Sequence, residues 1–101
     1  MAYDGFDLSG KVAVITGGNG GIGLGFARAI AAAGADVSIW GTNVDKNAIA
    51  EEELKAINPS ASAILCDVSD DKAVDRSMAE VVGQYGRIDA CFPNAGIGTQ
   101  N

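Results

Sequence analysis

The sequence has no histidine, two cysteines, two prolines, one tryptophan and seven basic residues against thirteen acidic ones in a chain of 101. Without histidine, and with Cys66 and Cys91 well separated, no metal-ligand cluster is visible. Both cysteines stand in apolar, strand-like runs, so both are expected to be small buried core thiols, not a disulfide or a nucleophile. A formal net charge of −6 argues against a nucleic-acid backbone or an anionic membrane as partner, because both demand clustered Lys and Arg. No apolar run approaches the length of a membrane span. Met1 to Leu8 carries Asp4 and Asp7 and no apolar core, so it does not read as a signal peptide. Repeats, linkers and low-complexity segments are also missing. The expectation left standing is a soluble, cytoplasmic protein of one domain. At 48% apolar and 20% charged residues, it has the composition of a folded chain and not of a disordered one.

Glycine, by contrast, is abundant, and it is concentrated where it matters. Val12, Ala13, Val14 and Ile15 form a continuous apolar run, the signature of a central parallel strand covered on both faces. Glycines from Gly17 to Gly23 follow, and Ile22, Phe26, Ile30 and Ala33 then recur at helical spacing. A strand, a turn without Cβ atoms and a helix start make a site for phosphate or pyrophosphate, because unpaired N–H groups and the positive end of the helix dipole converge there. Gly18-x-Gly20-x-x-Gly23 satisfies the general dinucleotide pattern in the strand-to-helix context that the pattern requires. No Gly-Lys-Ser/Thr follows, which excludes a P-loop.

The rest of the chain repeats the strand-then-helix rhythm. Asp36–Trp40 reads as a second strand, and Asn43 or Thr42 can cap a helix from about Val44 to Ile57 with Ala50, Leu54 and Ile57 on one face. Asn58-Pro59 stops it. Ser62–Cys66 is a third strand. Ser69 can cap a third helix, with Asp70 and Asp71 in its first turn and Val74, Met78, Val81, Val82 and Tyr85 as its core stripe. Ile88–Phe92 is a fourth strand. The order βαβαβαβ predicts an α/β fold, a doubly wound parallel sheet of Rossmann type with right-handed crossovers and helices on both faces. Ligands of such sheets bind beyond the carboxyl ends of the strands, so the Gly17–Gly23 turn, the Gly41–Asn43 turn and the Asp67/Asn94 pair are expected to meet.

Four segments together carry a more specific message. Phe6 to Gly23 (including the frame Thr16-Gly17-x-x-x-Gly21-x-Gly23), Cys66-Asp67-Val68-Ser69, Tyr85-Gly86-Arg87-Ile88-Asp89 and Asn94-Ala95-Gly96 resemble the N-terminal half of the short-chain dehydrogenases/reductases, over essentially the whole chain. The resemblance implies a cofactor site for NADP or NAD. It assigns Gly17, Asn19, Gly20, Gly21, Ile22 and Gly23 to the pyrophosphate turn, Thr42 and Asn43 to the turn beside the ribose, Asp67 and Val68 to the adenine pocket, and Asn94, Ala95 and Gly96 to the support of the fourth strand and the cofactor. Many members carry Asn-Asn-Ala-Gly. Here Pro93 replaces the first Asn, removing one N–H donor and one side-chain amide.

Cofactor choice turns on another absence. A carboxylate at the end of the second strand would favour NAD by binding the ribose 2′-hydroxyl, and Trp40-Gly41-Thr42-Asn43 has none. NADP enzymes of the family often place a basic residue where Thr42 or Gly20 stands, and neither is basic here. The missing carboxylate tips the balance to NADP.

The family's catalytic Ser and Tyr-x-x-x-Lys are not among these residues. Tyr3 and Tyr85 are each followed four positions on by Asp7 and Asp89, so neither is the catalytic tyrosine. The expectation is therefore one dinucleotide-binding domain over 1–101, truncated before the catalytic segment, of an NAD(P)-dependent oxidoreductase acting on a small alcohol or carbonyl substrate. The resemblance also implies a homo-oligomer, often a homotetramer. A non-catalytic nucleotide-binding module is the alternative if 101 residues are the complete product. A methyltransferase using S-adenosylmethionine would share the glycine turn, but it would be expected to carry an acid after the second strand and leaves Asn94-Ala95-Gly96 unexplained.

Overall fold

The computed structural model describes residues 7–94. Their elements alternate as β1 (Val12–Thr16), α1 (Gly21–Ala32), β2 (Asp36–Gly41), α2 (Val44–Lys55), β3 (Ser62–Leu65), α3 (Asp71–Tyr85) and β4 (Ala90–Pro93). The strands form one parallel sheet in the order β3-β2-β1-β4, in register Val12↔Asp36, Ala13↔Ala90 and Ser38↔Ser62. The chain thus walks from β1 through β2 to β3, then returns to the other side of β1. The order reverses beside β1, where a doubly wound sheet opens a crevice.

Alternation along the strands divides the core in two. Ala13, Ile15, Val37 and Ile39 pack under α1 and α2 with Ala27, Ile30, Ala31, Ala50 and Leu54. Val12, Val14, Trp40, Ile64 and Cys66 pack under α3 with Ala73 and Val81. All five residues of β1 are buried because both layers close on it. Trp40 buries its ring in the second layer and satisfies its indole N–H on Ser38 Oγ at 3.2 Å, two residues back on the same face.

Several local expectations shift. Ile22 is 85% exposed, and Phe26 is also exposed; α1 turns Gly23, Ala27, Ile30 and Ala31 inward instead. Small residues let this helix lie close to the sheet. Asn43 caps α2, its Oδ1 accepting from Lys46 N at 2.9 Å. α2 ends at Lys55, which leaves Ile57 outside the buried face, and Asn58 then donates to Ala35 O at 2.7 Å. Asp70, not Ser69, caps α3 by accepting from Lys72 N at 3.0 Å and Ala73 N at 3.3 Å. Ser69 is taken up by Asp67, to which it gives both its N–H and its O–H. Val82 is exposed, whereas Val74, Met78 and Tyr85 pack against the second layer. Gly83 lies within α3, and Gly86 ends the helix at φ +85°. β4 starts at Ala90 because Asp89 is spent clipping β1: its Oδ2 accepts from Val12 N and its N–H donates to Val12 O, each at 2.8 Å. Cys66 is buried as expected, but Cys91 is exposed, since β4 pairs only with β1 among the described residues.

Tyr85 fastens α3 to the sheet. Its hydroxyl donates to Ser60 O at 2.5 Å and lies 2.9 Å from Ser62 Oγ. Burial pushes the phenol above its ordinary value, and Asp36 and Glu51 add to the rise, while the Ser62 hydrogen bond opposes it. A phenol raised in the folded state contributes stability that is present at neutral pH and lost as pH climbs past the ordinary value of 10.0. Tyr85→Phe is therefore expected to cost about 1–2 kcal/mol in urea unfolding at neutral pH. It should also flatten the alkaline fall in stability. An unchanged midpoint at neutral pH would show that the hydroxyl carries no such weight.

Candidate functional site

Beyond the carboxyl ends of the strands lies a cleft of about 240 Å³. Gly17 and Asn19 line it after β1, Trp40, Gly41 and Thr42 at the end of β2, and Cys66, Asp67 and Val68 after β3. The fourth segment arrives from behind: Asn94 donates through Nδ2 to Gly17 O at 3.3 Å. The segments that the topology predicts to converge do so. Of the expected site residues, Gly20, Gly21, Ile22, Gly23, Asn43 and Asn94 do not line the cleft, and the side chain of Asn43 is committed to capping α2. Ala95 and Gly96 fall outside the described residues.

The glycine turn has two distinct structural demands. Gly21 sits at φ +57° with open space beside it, so backbone conformation alone calls for glycine. At Gly23 the demand is contact. A Cβ there would run into Gly17 O and come within 2.7 Å of Asn94 Nδ2, so the first turn of α1 is pressed against the end of β1.

The start of α1 differs from the other two helix starts. Asn43 and Asp70 accept hydrogen bonds from leading N–H groups of α2 and α3 on their side-chain oxygens, whereas Gly20 offers α1 no side-chain cap and its first turn holds no acid. The leading N–H groups of α1 are left without side-chain acceptors beside the cleft, and the dipole's positive end stands uncompensated. Ile22, next along α1, leaves its apolar side chain exposed.

Asn47 braces the site, and sequence reasoning missed it. It is buried, donates through Nδ2 to Gly41 O at 3.0 Å and Ile64 O at 3.4 Å, and accepts at Oδ1 from Asn19 Nδ2 at 2.9 Å. One amide therefore ties the glycine turn to the ends of β2 and β3. The available signal was a polar residue in line with Ala50 and Leu54 on the buried face of α2. On the opposite wall, hydrogen bonds from Ser69 hold the Asp67 carboxyl below its ordinary value, keeping an ionised acceptor at the rim. Among the described residues no group of His, Cys, Asp or Glu could hold a metal ion. No helix there is long and apolar enough to cross a membrane.

Comparison with known proteins agrees with this geometry. The family model for short chain dehydrogenases matches residues 11–101. A sorbose reductase of Candida albicans is 42% identical over 92 residues, which are 91% of this chain and 33% of that protein. A probable NADP-dependent mannitol dehydrogenase of Yarrowia lipolytica is 40% identical over the same shares. Among solved structures, an NAD+-bound xylitol dehydrogenase superposes with a TM-score of 0.85 at 34% identity, covering 88% of this chain and 34% of that one. The chain thus spans about a third of the length of the curated relatives it matches.

Asn47→Ala is expected to destabilise the protein by about 1–3 kcal/mol, because its buried hydrogen bonds to Gly41 O, Ile64 O and Asn19 are lost, although Gly41 O keeps the Cys66 N–H. It should also free the Asn19 side chain, seen as altered amide signals for residues 17–23 by NMR. A variant with wild-type stability and unshifted turn signals would contradict the tethering role.

Proposed function

The chain belongs to the short chain dehydrogenase family, and on that footing we propose that it is the cofactor-binding N-terminal part of an NAD(P)-dependent oxidoreductase. The reaction is hydride transfer between the nicotinamide and a small alcohol or carbonyl substrate. One observation carries this reading: α1 begins uncapped and free of acid in a glycine turn beside the cleft where the strand order reverses. The bound dinucleotide would supply or accept the hydride.

The residues present fit such a group. Gly17, Asn19, Gly20, Gly21 and Gly23 form the turn that would receive the pyrophosphate on backbone N–H groups, and Asn47 keeps that turn in place. Ile22, exposed at the start of α1, is assigned to the turn by family resemblance. Thr42, and Asn43 through the turn it ends, would lie along the ribose. Asp67 and Val68 would bound the adenine, with Asp67 ionised to accept a hydrogen bond. Asn94 supports the turn through Gly17, and Ala95 and Gly96 are assigned with it by family resemblance. No residue of this sequence is assigned the proton transfer to the substrate oxygen. The relatives named for sorbose, mannitol and xylitol make polyol and ketose pairs the first substrates to assay. A cytoplasmic homo-oligomer, a homotetramer in many members of the family, completes the reading.

Trp40 gives a direct test, because it is the sole tryptophan and lines the cleft while nearly fully buried. Titration of the full chain with NADPH or NADH should quench its emission saturably. Gly23→Val places side-chain atoms on Gly17 O, and Gly21→Val imposes a β-branched residue at φ +57°. Each should weaken binding by at least about tenfold, a difference of roughly 1.4 kcal/mol. Wild-type affinity in both variants, with circular dichroism showing them folded, would refute the pyrophosphate assignment.

A further inference from the structure

Resting on that reading, we propose that Lys46 is the residue that makes this site prefer NADP to NAD, its ammonium pairing with the 2′-phosphate at the corner between the glycine turn and the start of α2. Neither Gly20 nor Thr42 carries a cation, yet the space beside Gly20 is not empty of charge. A Cβ built on Gly20 would lie 3.7 Å from Lys46 Cε and 3.7 Å from Lys46 Nζ. The long stem therefore brings a positive charge from α2 across to the turn that α1 leaves uncapped.

Two hydrogen bonds fix the root of this side chain. The Lys46 N–H is held by Asn43 Oδ1, and the next residue, Asn47, is tied to Asn19 of the turn. The tip, in contrast, is uncommitted. Among the described residues the ion pairs are Arg28–Glu53, Lys55–Glu51 and Arg87–Asp89, and Lys46 has no carboxylate within ion-pair distance. Its position is also unfavourable for the helix that carries it. A cation in the first turn opposes the helix dipole, where Asp45 alone has the favoured sign. An unpaired charge set against its own helix's preference and reaching the glycine turn breaks a local rule of the kind met at functional sites.

The surroundings decide which ligand gains from it. Gly41, Thr42 and Asn43 supply no carboxylate to accept from a 2′-hydroxyl or to repel a phosphate. Asp67, the carboxylate of the cleft, lies at the end of β3 and is engaged by Ser69. A neutral ribose hydroxyl gains little from an ammonium group that water also solvates. A 2′-phosphate gains a charge-assisted hydrogen bond.

The test compares wild type, Lys46→Gln and Lys46→Arg in the full chain, titrated with NADPH and NADH and followed through Trp40. Lys46→Gln should raise the Kd for NADPH about tenfold, leave that for NADH within about twofold, and flatten the salt dependence of NADPH binding. Lys46→Arg should keep most of the NADPH affinity. An unchanged NADPH/NADH ratio in Lys46→Gln, whether both affinities fall together or neither moves, overturns the role of Lys46 and leaves nucleotide binding standing. A wild-type chain that binds neither dinucleotide overturns the nucleotide site itself, and this assignment with it.

Discussion

The constraint on which the structure depends is the contact of two backbones, the first turn of α1 against the end of β1. Gly23 lies where a Cβ would strike Gly17 O, and Asn94 closes the same point from the far side of the switch. A helix brought this near to a strand end cannot point its leading N–H groups back into the protein. It must offer them to whatever occupies the cleft. The burial of β1 on both faces makes that geometry rigid, because the strand cannot yield without disturbing both core layers. Asp89 holds the opposite end of the same strand through two backbone contacts with Val12.

Around this point, polar side chains act as fasteners more than as chemistry. Asn47 spans three segments with one amide, and Tyr85 does the equivalent for α3, Ser60 and Ser62. The tyrosine that sequence spacing excluded from proton transfer has a structural occupation instead. Asp67 and Ser69 form a closed pair at the third strand end, which shifts the capping of α3 one residue onward to Asp70. Asn47 and the Asp67–Ser69 pair brace segments of the cleft wall, while Tyr85 secures the amino end of β3, away from the cleft.

The sheet and its order of elements were legible in the sequence because burial leaves a periodic trace. A central strand reads as Val12–Ile15, and α2 reads as Ala50 and Leu54 over a polar remainder. The convergence of the loops followed from topology alone. Less legible were features that depend on neighbours distant in the chain. Cys91 has the apolar company of a core residue, but its exposure is decided by what pairs with β4. Ile22 keeps helical spacing with Ile30, yet the helix turns its glycine and alanines inward, since close approach to the sheet favours small side chains. Lys46 looks like any solvated helix lysine until the fold brings Gly20 beneath it. The boundaries of β4 and α2 moved by two residues where Asp89 and Asn58 took up hydrogen bonds outside the periodic pattern.

The strand order has a consequence of an architectural kind. Every residue lining the cleft comes from the ends of β1, β2 and β3, all on one side of the reversal, while β4 lies on the other and contributes only the Asn94 prop. The two sides are thus separable modules joined along β1. Changes on the β4 side can leave the cleft wall untouched. That is the arrangement expected of a fold on which sites vary without the core being rebuilt.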